Sequence, residues 1–435
     1  MVRKKLILAT ILTISSFCCQ AQAVQIPVSW DGGGDGHTWG DPYNWDPNVV
    51  PDNNTFDVTI NAGTGLVEVG LEHNYTIIRL YCYGNVELET KDGSWAELIC
   101  EGVPGLENYG YLEIELLTIE GNVLNTADAV LELETDGAEI VGNLSNLAGG
   151  LVKIERAEIK DGDIENAGQF NIRHHGYMYF ENKFHNTSQI QLNGGAILYW
   201  AEEKGPGILD NDNTGLIKGF GVLHAAQLLN KGAIYAYGGS LVISSEGSLT
   251  NTGILGSKSM SSLHIKPGGD VNNQGTIEVN TGGGVVFDCN LVNETNGAIE
   301  LRGGTLAATT ITQTANANFV GFGGISGDVV IESDGLIKLT GPTNIVGDVE
   351  INPNATLEIS DGTTLITGQT TCNGTIHIKG GRIIPQGGLS GDCNIIWEPG
   401  TYSNIADFNL DGKVNFKDFA GFADTWLWKA SWYAP

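Results

Sequence analysis

Asn166-Ala167-Gly168-Gln169-Phe170-Asn171-Ile172 states a phrase that this chain repeats: an Asn, a small or polar residue, often a Gly, and then an apolar-polar-apolar triplet. Asn108-Tyr109-Gly110 runs into Leu112-Glu113-Ile114 in the same way, and Asn273-Gln274-Gly275 into Ile277-Glu278-Val279. The phrase recurs at Asn108, Asn125, Asn146, Asn166, Asn186, Asn213, Asn230, Asn251, Asn273 and Asn293, a period of about 20 residues. Asn and Gly adopt positive φ at low cost, so they read as corners. The alternating triplets read as strands with one face inward.

A corner and strands at one period predict an all-β, elongated, right-handed parallel β-solenoid, each turn stacked on the last. At a strand spacing of about 4.8 Å, roughly 15 turns make a rod on the order of 70 Å long. A string of β-sandwich modules is the rival, because it too has short strands and frequent turns. One phrase kept at one period over so many residues favours the solenoid.

Outward from the repeats, the domains read as a signal peptide over 1–23, a Trp/Gly-rich capping segment over 24–60, the solenoid over 61–400 and a small carboxyl module over 401–435. Arg3, Lys4 and Lys5, an apolar stretch from Leu6 to Phe17 and the small-residue pattern Ala21-Gln22-Ala23 predict export, with cleavage before Val24. A retained anchor is the lesser reading, since the stretch is short for a bilayer, and Cys18 and Cys19 fit a lipoprotein site poorly. No later segment predicts a membrane span. The capping segment opens Trp30-Asp31-Gly32-Gly33-Gly34-Asp35-Gly36 and continues through Trp39 and Trp45. It is similar to the Trp-Gly-rich opening of secreted bacterial repeat proteins, which implies rings that cover an open strand edge. Sugar binding by these three indoles is the alternative.

The formal charge is -29, and loss of the three basic residues of the leader takes it to -32. So acidic a surface repels phosphate backbones and excludes nucleic acid as a partner. Five cysteines remain after the leader. Cys82 with Cys100, and Cys372 with Cys393, are separated by about one repeat and are the expected disulfides, leaving Cys289 over.

Explicit chemistry stands at the carboxyl end, in Asp407-Phe408-Asn409-Leu410-Asp411-Gly412-Lys413-Val414-Asn415-Phe416-Lys417-Asp418. Oxygen side chains occupy loop positions 1, 3, 5, 9 and 12, with Gly at 6 for the sharp turn, the pattern of a Ca2+ loop. Asp407, Asn409, Asp411 and Asp418 are the expected side-chain ligands, with the Lys413 carbonyl and Asn415, directly or through water. Phe416, Phe419, Ala420, Ala423, Trp426 and Leu427 then fall at helical spacing. A calcium loop with one exiting helix resembles a type I dockerin repeat over about residues 405–428. The resemblance implies calcium-dependent docking to a cohesin-like or cell-surface protein. Dockerins normally carry two repeats and this chain has one, with Phe416 and Lys417 at the positions that commonly hold small hydroxyl residues.

Parallel β-helices include polysaccharide lyases and glycoside hydrolases, so an enzyme is weighed. Arg173, His174, His175, Glu181 and His185, with Glu202 and Glu203, form the densest group of candidate acid-base residues. Alternation puts His174 and His175 on opposite faces, so no catalytic residue is assigned. Tyr179 and Phe180 recur as Tyr199 and Trp200, and Phe220 follows, as packing rungs between turns or a stripe for sugar rings. The favoured function is a non-catalytic surface or adhesion protein with a calcium-dependent docking module. The alternative is a polysaccharide-processing enzyme or carbohydrate binder bearing the same tag.

Overall fold

A computed structural model describes residues 25–134, 137–199 and 205–398. Over that span the chain winds as a parallel β-solenoid of about 17 turns. At roughly 4.8 Å per turn this is a rod on the order of 80 Å long. Each turn has three flat faces. One turn is Leu106–Asn108, Tyr111–Ile114 and Leu117–Glu120 on the first, second and third face, and Val123–Asn125, Val130–Leu133 and Ala138–Val141 lie directly above them. Where a corner is shallow, two faces are built by one long strand, as in Gln169–Phe180. The alternating residues of every face point inward, so Leu112, Ile114, Leu117 and Ile119 all reach 0% exposure in a single turn.

The repeated Asn does not bend the chain. It ends the strand of the first face with its side chain inward, and the residues stack as Asn108, Asn125, Asn146, Asn166, Asn186, Asn211, Asn230, Asn251, Asn273, Asn293 and Gln313. All are at most 1% exposed. The Nδ2 of each Asn donates to the side-chain oxygen of the residue one turn on, through ten consecutive bonds of 2.7 to 2.9 Å. Its second proton goes to a backbone carbonyl at a corner or next strand, for example Asn146 to Gln169 O at 3.1 Å. The column closes at both ends: the Gly110 N–H donates to Oδ1 of Asn108 at 3.0 Å, and Gln313 Nε2 donates to Ala317 O at 2.7 Å.

Positive φ instead falls three residues further on, at Asp128, Gly149, Asn296 and Asn316. In the tighter corners the Gly serves close approach: a Cβ at Gly253 would lie 2.0 Å from Gly232 O. Asn213, which the period selects, is exposed on a corner, and Asn211 is the column member.

At the amino-terminal end Ile26–Trp30 pairs in parallel with the first-turn strand Phe56–Leu71 and antiparallel with Trp45–Asp46. Trp39 and Trp45 are 0% exposed and Trp30 8%, with edge-on ring contacts at 4.8 Å. Trp45 Nε1 donates to Trp39 O and Trp39 Nε1 to Pro51 O. With their faces buried, these indoles offer no platform to a sugar.

Cys372 and Cys393 are bonded across adjacent turns, Cα to Cα 4.9 Å. Cys82 and Cys100 are free, contrary to the expected pair. Cys82 lies between Ile60 and Asn108 on the first face, whereas Cys100 lies above Ile77 on the third. The turns here take 22 to 26 residues (60 to 82, 82 to 108), so a separation of 18 does not span one. Burial pushes both thiols up, Cys100 to about 12.

The column makes a test that separates two neighbouring asparagines. Asn211→Ala leaves the Asn186 amide without its acceptor and the Asn230 oxygen without its donor, and should cost roughly 3 kcal/mol in urea unfolding. Asn213→Ala should stay within about 0.5 kcal/mol of the parent.

Candidate functional site

The outward residues of the second face form columns too. Glu68, Glu87, Glu113 and Glu132 stand directly above one another, followed by Lys153. Glu89 pairs above Gly70, and Glu115 and Glu134 follow in a parallel row, their N–H groups donating to Leu88 O and Ile114 O. Carboxylates one turn apart repel, since like charges directly opposite are destabilising. Burial, followed by Glu113, Glu68, Glu89 and Glu115, lifts the Glu87 carboxyl to about 7.

The carboxyl-terminal side of the patch is neutralised. Glu132 is 2% exposed and accepts from Lys153 Nζ at 2.8 Å, from the Tyr111 hydroxyl at 2.8 Å and from Arg173. Arg173 also pairs with Glu134 at 3.3 Å and with Glu155. On the other side Glu87, Glu89 and Glu115 bring carboxylate oxygens within 4.8 Å of one another, a spacing at which three oxygens could reach one calcium ion. The signal was in the sequence, in Val86-Glu87-Leu88-Glu89, Leu112-Glu113-Ile114-Glu115 and Leu131-Glu132-Leu133-Glu134. Only the register shows that these stack.

The described residues among those singled out for acid-base chemistry are spread over different faces and corners. Arg173 belongs to the ion-pair network just described. His174 and His175 are both exposed on the bend between second and third faces, with ring centroids 3.8 Å apart, rather than on opposite faces. His175 has φ of 63°, and this left-handed residue breaks the alternation. Glu181 is 6% exposed on the next corner and accepts from the Asp161 N–H at 3.0 Å. His185 stands on the first face, 2.7 Å from Glu165. Glu202 and Glu203 lie outside the described residues, as do Trp200 and all six expected calcium ligands, Asp407, Asn409, Asp411, Lys413, Asn415 and Asp418.

The aromatic rungs also resolve differently. Phe180 pairs with Tyr199 and Tyr179 with Leu198, while Phe220 lies opposite Asn193 at a corner. Phe180 is buried at 1%, so its ring packs between turns. Among the described residues no helix is long and apolar enough to cross a membrane.

The Glu87 shift fixes a pH dependence. Its folded value stands above the ordinary 4.5, so the folded state holds this proton more tightly; that stabilisation is full below about 4.5 and is lost as pH rises through about 7. Glu87→Gln should therefore melt above the parent protein at pH 8 and together with it at pH 4, read by circular dichroism. Solvent screening at this partly exposed group keeps the difference small.

No protein-family model, no curated protein and no solved structure matches this chain.

Proposed function

We propose that the chain is an exported, non-catalytic rod that works at or outside the cell surface and is fastened there through its carboxyl-terminal calcium module. The observation that carries this reading is the amide column from Asn108 to Gln313, which turns eleven successive layers into one stiff, unbranched body. A rod of fixed pitch is suited to spacing, adhesion or assembly. The basic, apolar and small zones of residues 1–23 support export. The disulfide between Cys372 and Cys393 supports an oxidising compartment.

In this proposal the loop Asp407-to-Asp418 binds Ca2+ through Asp407, Asn409, Asp411 and Asp418, with the Lys413 carbonyl and Asn415. The dockerin resemblance makes a cohesin-like or cell-surface protein the candidate partner. Calcium here orders the docking surface and takes no part in a reaction.

Calorimetric titration of the full chain should show a calcium-binding step that Asp407→Ala removes; an identical titration in that variant would discard the module. The enzyme alternative is tested by incubating the mature protein with pectin, alginate and xylan. No release of reducing ends or unsaturated products is expected. Sustained turnover abolished by His174→Ala or Glu181→Gln would replace the structural reading with a polysaccharide-processing one.

A further inference from the structure

Trp95 stands apart from the buried indoles of the amino-terminal end: it is 55% exposed. It immediately precedes the third-face strand Ala96–Cys100. The register Ala96, Leu117, Ala138, Ala157, Met178 then places Trp95, Leu116, Gly137, Arg156 and Tyr177 in one row along the rod. Four steps at about 4.8 Å make that row roughly 19 Å long.

Between the indole and the guanidinium is a slot the width of a side chain. A Cβ at Gly137 would lie 3.6 Å from Trp95 Cη2 and 3.7 Å from Arg156 Nε. Gly137 has φ of 108°, a conformation that keeps larger residues out and the slot open. With Ala138, Glu139 and Glu158 it lines a small depression of about 70 Å3 that opens to solvent beside the exposed indole.

The polar groups at this slot are incompletely used. Lys160 bridges Glu139 at 3.3 Å and Glu158 at 2.9 Å, which offsets one of the two negative charges and leaves further acceptor sites on each carboxylate. Arg156 has no carboxylate within 4.0 Å among the described residues, and its guanidinium lies over the Tyr177 ring, 5.4 Å from the centroid. In a chain of net charge -29, an Arg that makes no ion pair with a described acid is a reserve of donors. An occupant must therefore bring an apolar face for the indole, hydroxyl donors for Glu139 and Glu158, and oxygen acceptors for Arg156. A pyranose has all three.

We propose that this row binds a neutral polysaccharide lying along the rod, with one sugar ring against Trp95 in the slot beside Arg156. Two carboxylates against two cations leave the slot uncharged. Glu97 and Glu120 nearby further disfavour an acidic sugar; burial and then a shared hydrogen bond with Glu120 already hold the Glu97 carboxyl above its usual range. This goes beyond the structural role proposed above and uses nothing of the calcium module.

The test is calorimetric and fluorescence titration of the full chain with cellohexaose, xylohexaose, mannohexaose and a galacturonate hexamer. At least one neutral hexasaccharide should bind saturably and perturb indole emission, and Trp95→Ala and Arg156→Ala should each weaken it about tenfold or more. Tyr237→Ala, at an exposed aromatic elsewhere, and Asp407→Ala should leave it unchanged, so a failed calcium module does not disturb the result. The proposal is overturned if no neutral oligosaccharide binds, if only the galacturonate hexamer does, or if Trp95→Ala, melting like the parent protein, binds as well as the parent.

Discussion

A primary amide is self-complementary along a stack: it offers a donor and an acceptor on opposite sides, and the 2.7 to 2.9 Å bonds of this column repeat at the rise of the strands that carry it. A buried Asn alone would be expensive, because each unmade bond costs about 1–3 kcal/mol. Eleven in register satisfy one another, and the terminal Gly110 N–H and Ala317 carbonyl close the series. The penalty for a missing partner becomes a penalty for wrong register. Gly-rich strands of Ile, Val and Leu would otherwise slide past each other with little change in apolar burial. A slip by two residues, which keeps the same face inward, would set an amide against the Leu, Ile or Val two positions before the next Asn and leave it unbonded.

That constraint explains why the turns need not be equal in length. The column fixes where each turn returns to the first face, and it is indifferent to what the chain does outside. Successive members are 17 residues apart between Asn108 and Asn125 and 25 apart between Asn186 and Asn211. The difference is taken up at the corners, where Gly and left-handed Asp or Asn residues do the bending. Outside the amide column the same position is held by Ile60 and Cys82 below and by Ile331, Ile351 and Cys372 above. At the last of these a disulfide to Cys393 joins the terminal turns.

The period, the strands and the parallel stacking were legible in the sequence because each is a local pattern repeated. The role of the Asn was not. Asn-x-Gly before an apolar triplet has the composition of a corner, and nothing within seven residues says that the amide turns inward; its partner is about 20 residues away and counts only once register is known. The same gap misplaced Asn213, whose neighbour Asn211 is the column member, and paired Cys82 with Cys100, which sit on different faces because the early turns are longer than the average. The tryptophans were read by composition, and burial separates them: Trp30, Trp39 and Trp45 close one end of the stack, while Trp95 stands in solvent. The His and Glu group failed as a site for a related reason, since closeness in sequence here spans two corners and three faces.

A solenoid divides its residues by alternation into an interior that sets shape and an exterior that is free to carry chemistry, and this chain uses that division unevenly along its length. The second face from Glu68 to Glu134 stacks carboxylates, with Glu87 lifted by burial and then by its neighbours' charge, and Lys153 and Arg173 end the run. The third face over the neighbouring turns places an indole, a guanidinium and two tyrosines in adjacent rows. Because the parallel strands stack at one rise, groups from distant parts of the sequence keep a constant spacing along the axis. Such a surface repeats its groups at the pitch of the strands, and a periodic ligand such as the proposed sugar chain would meet the same spacing at each layer.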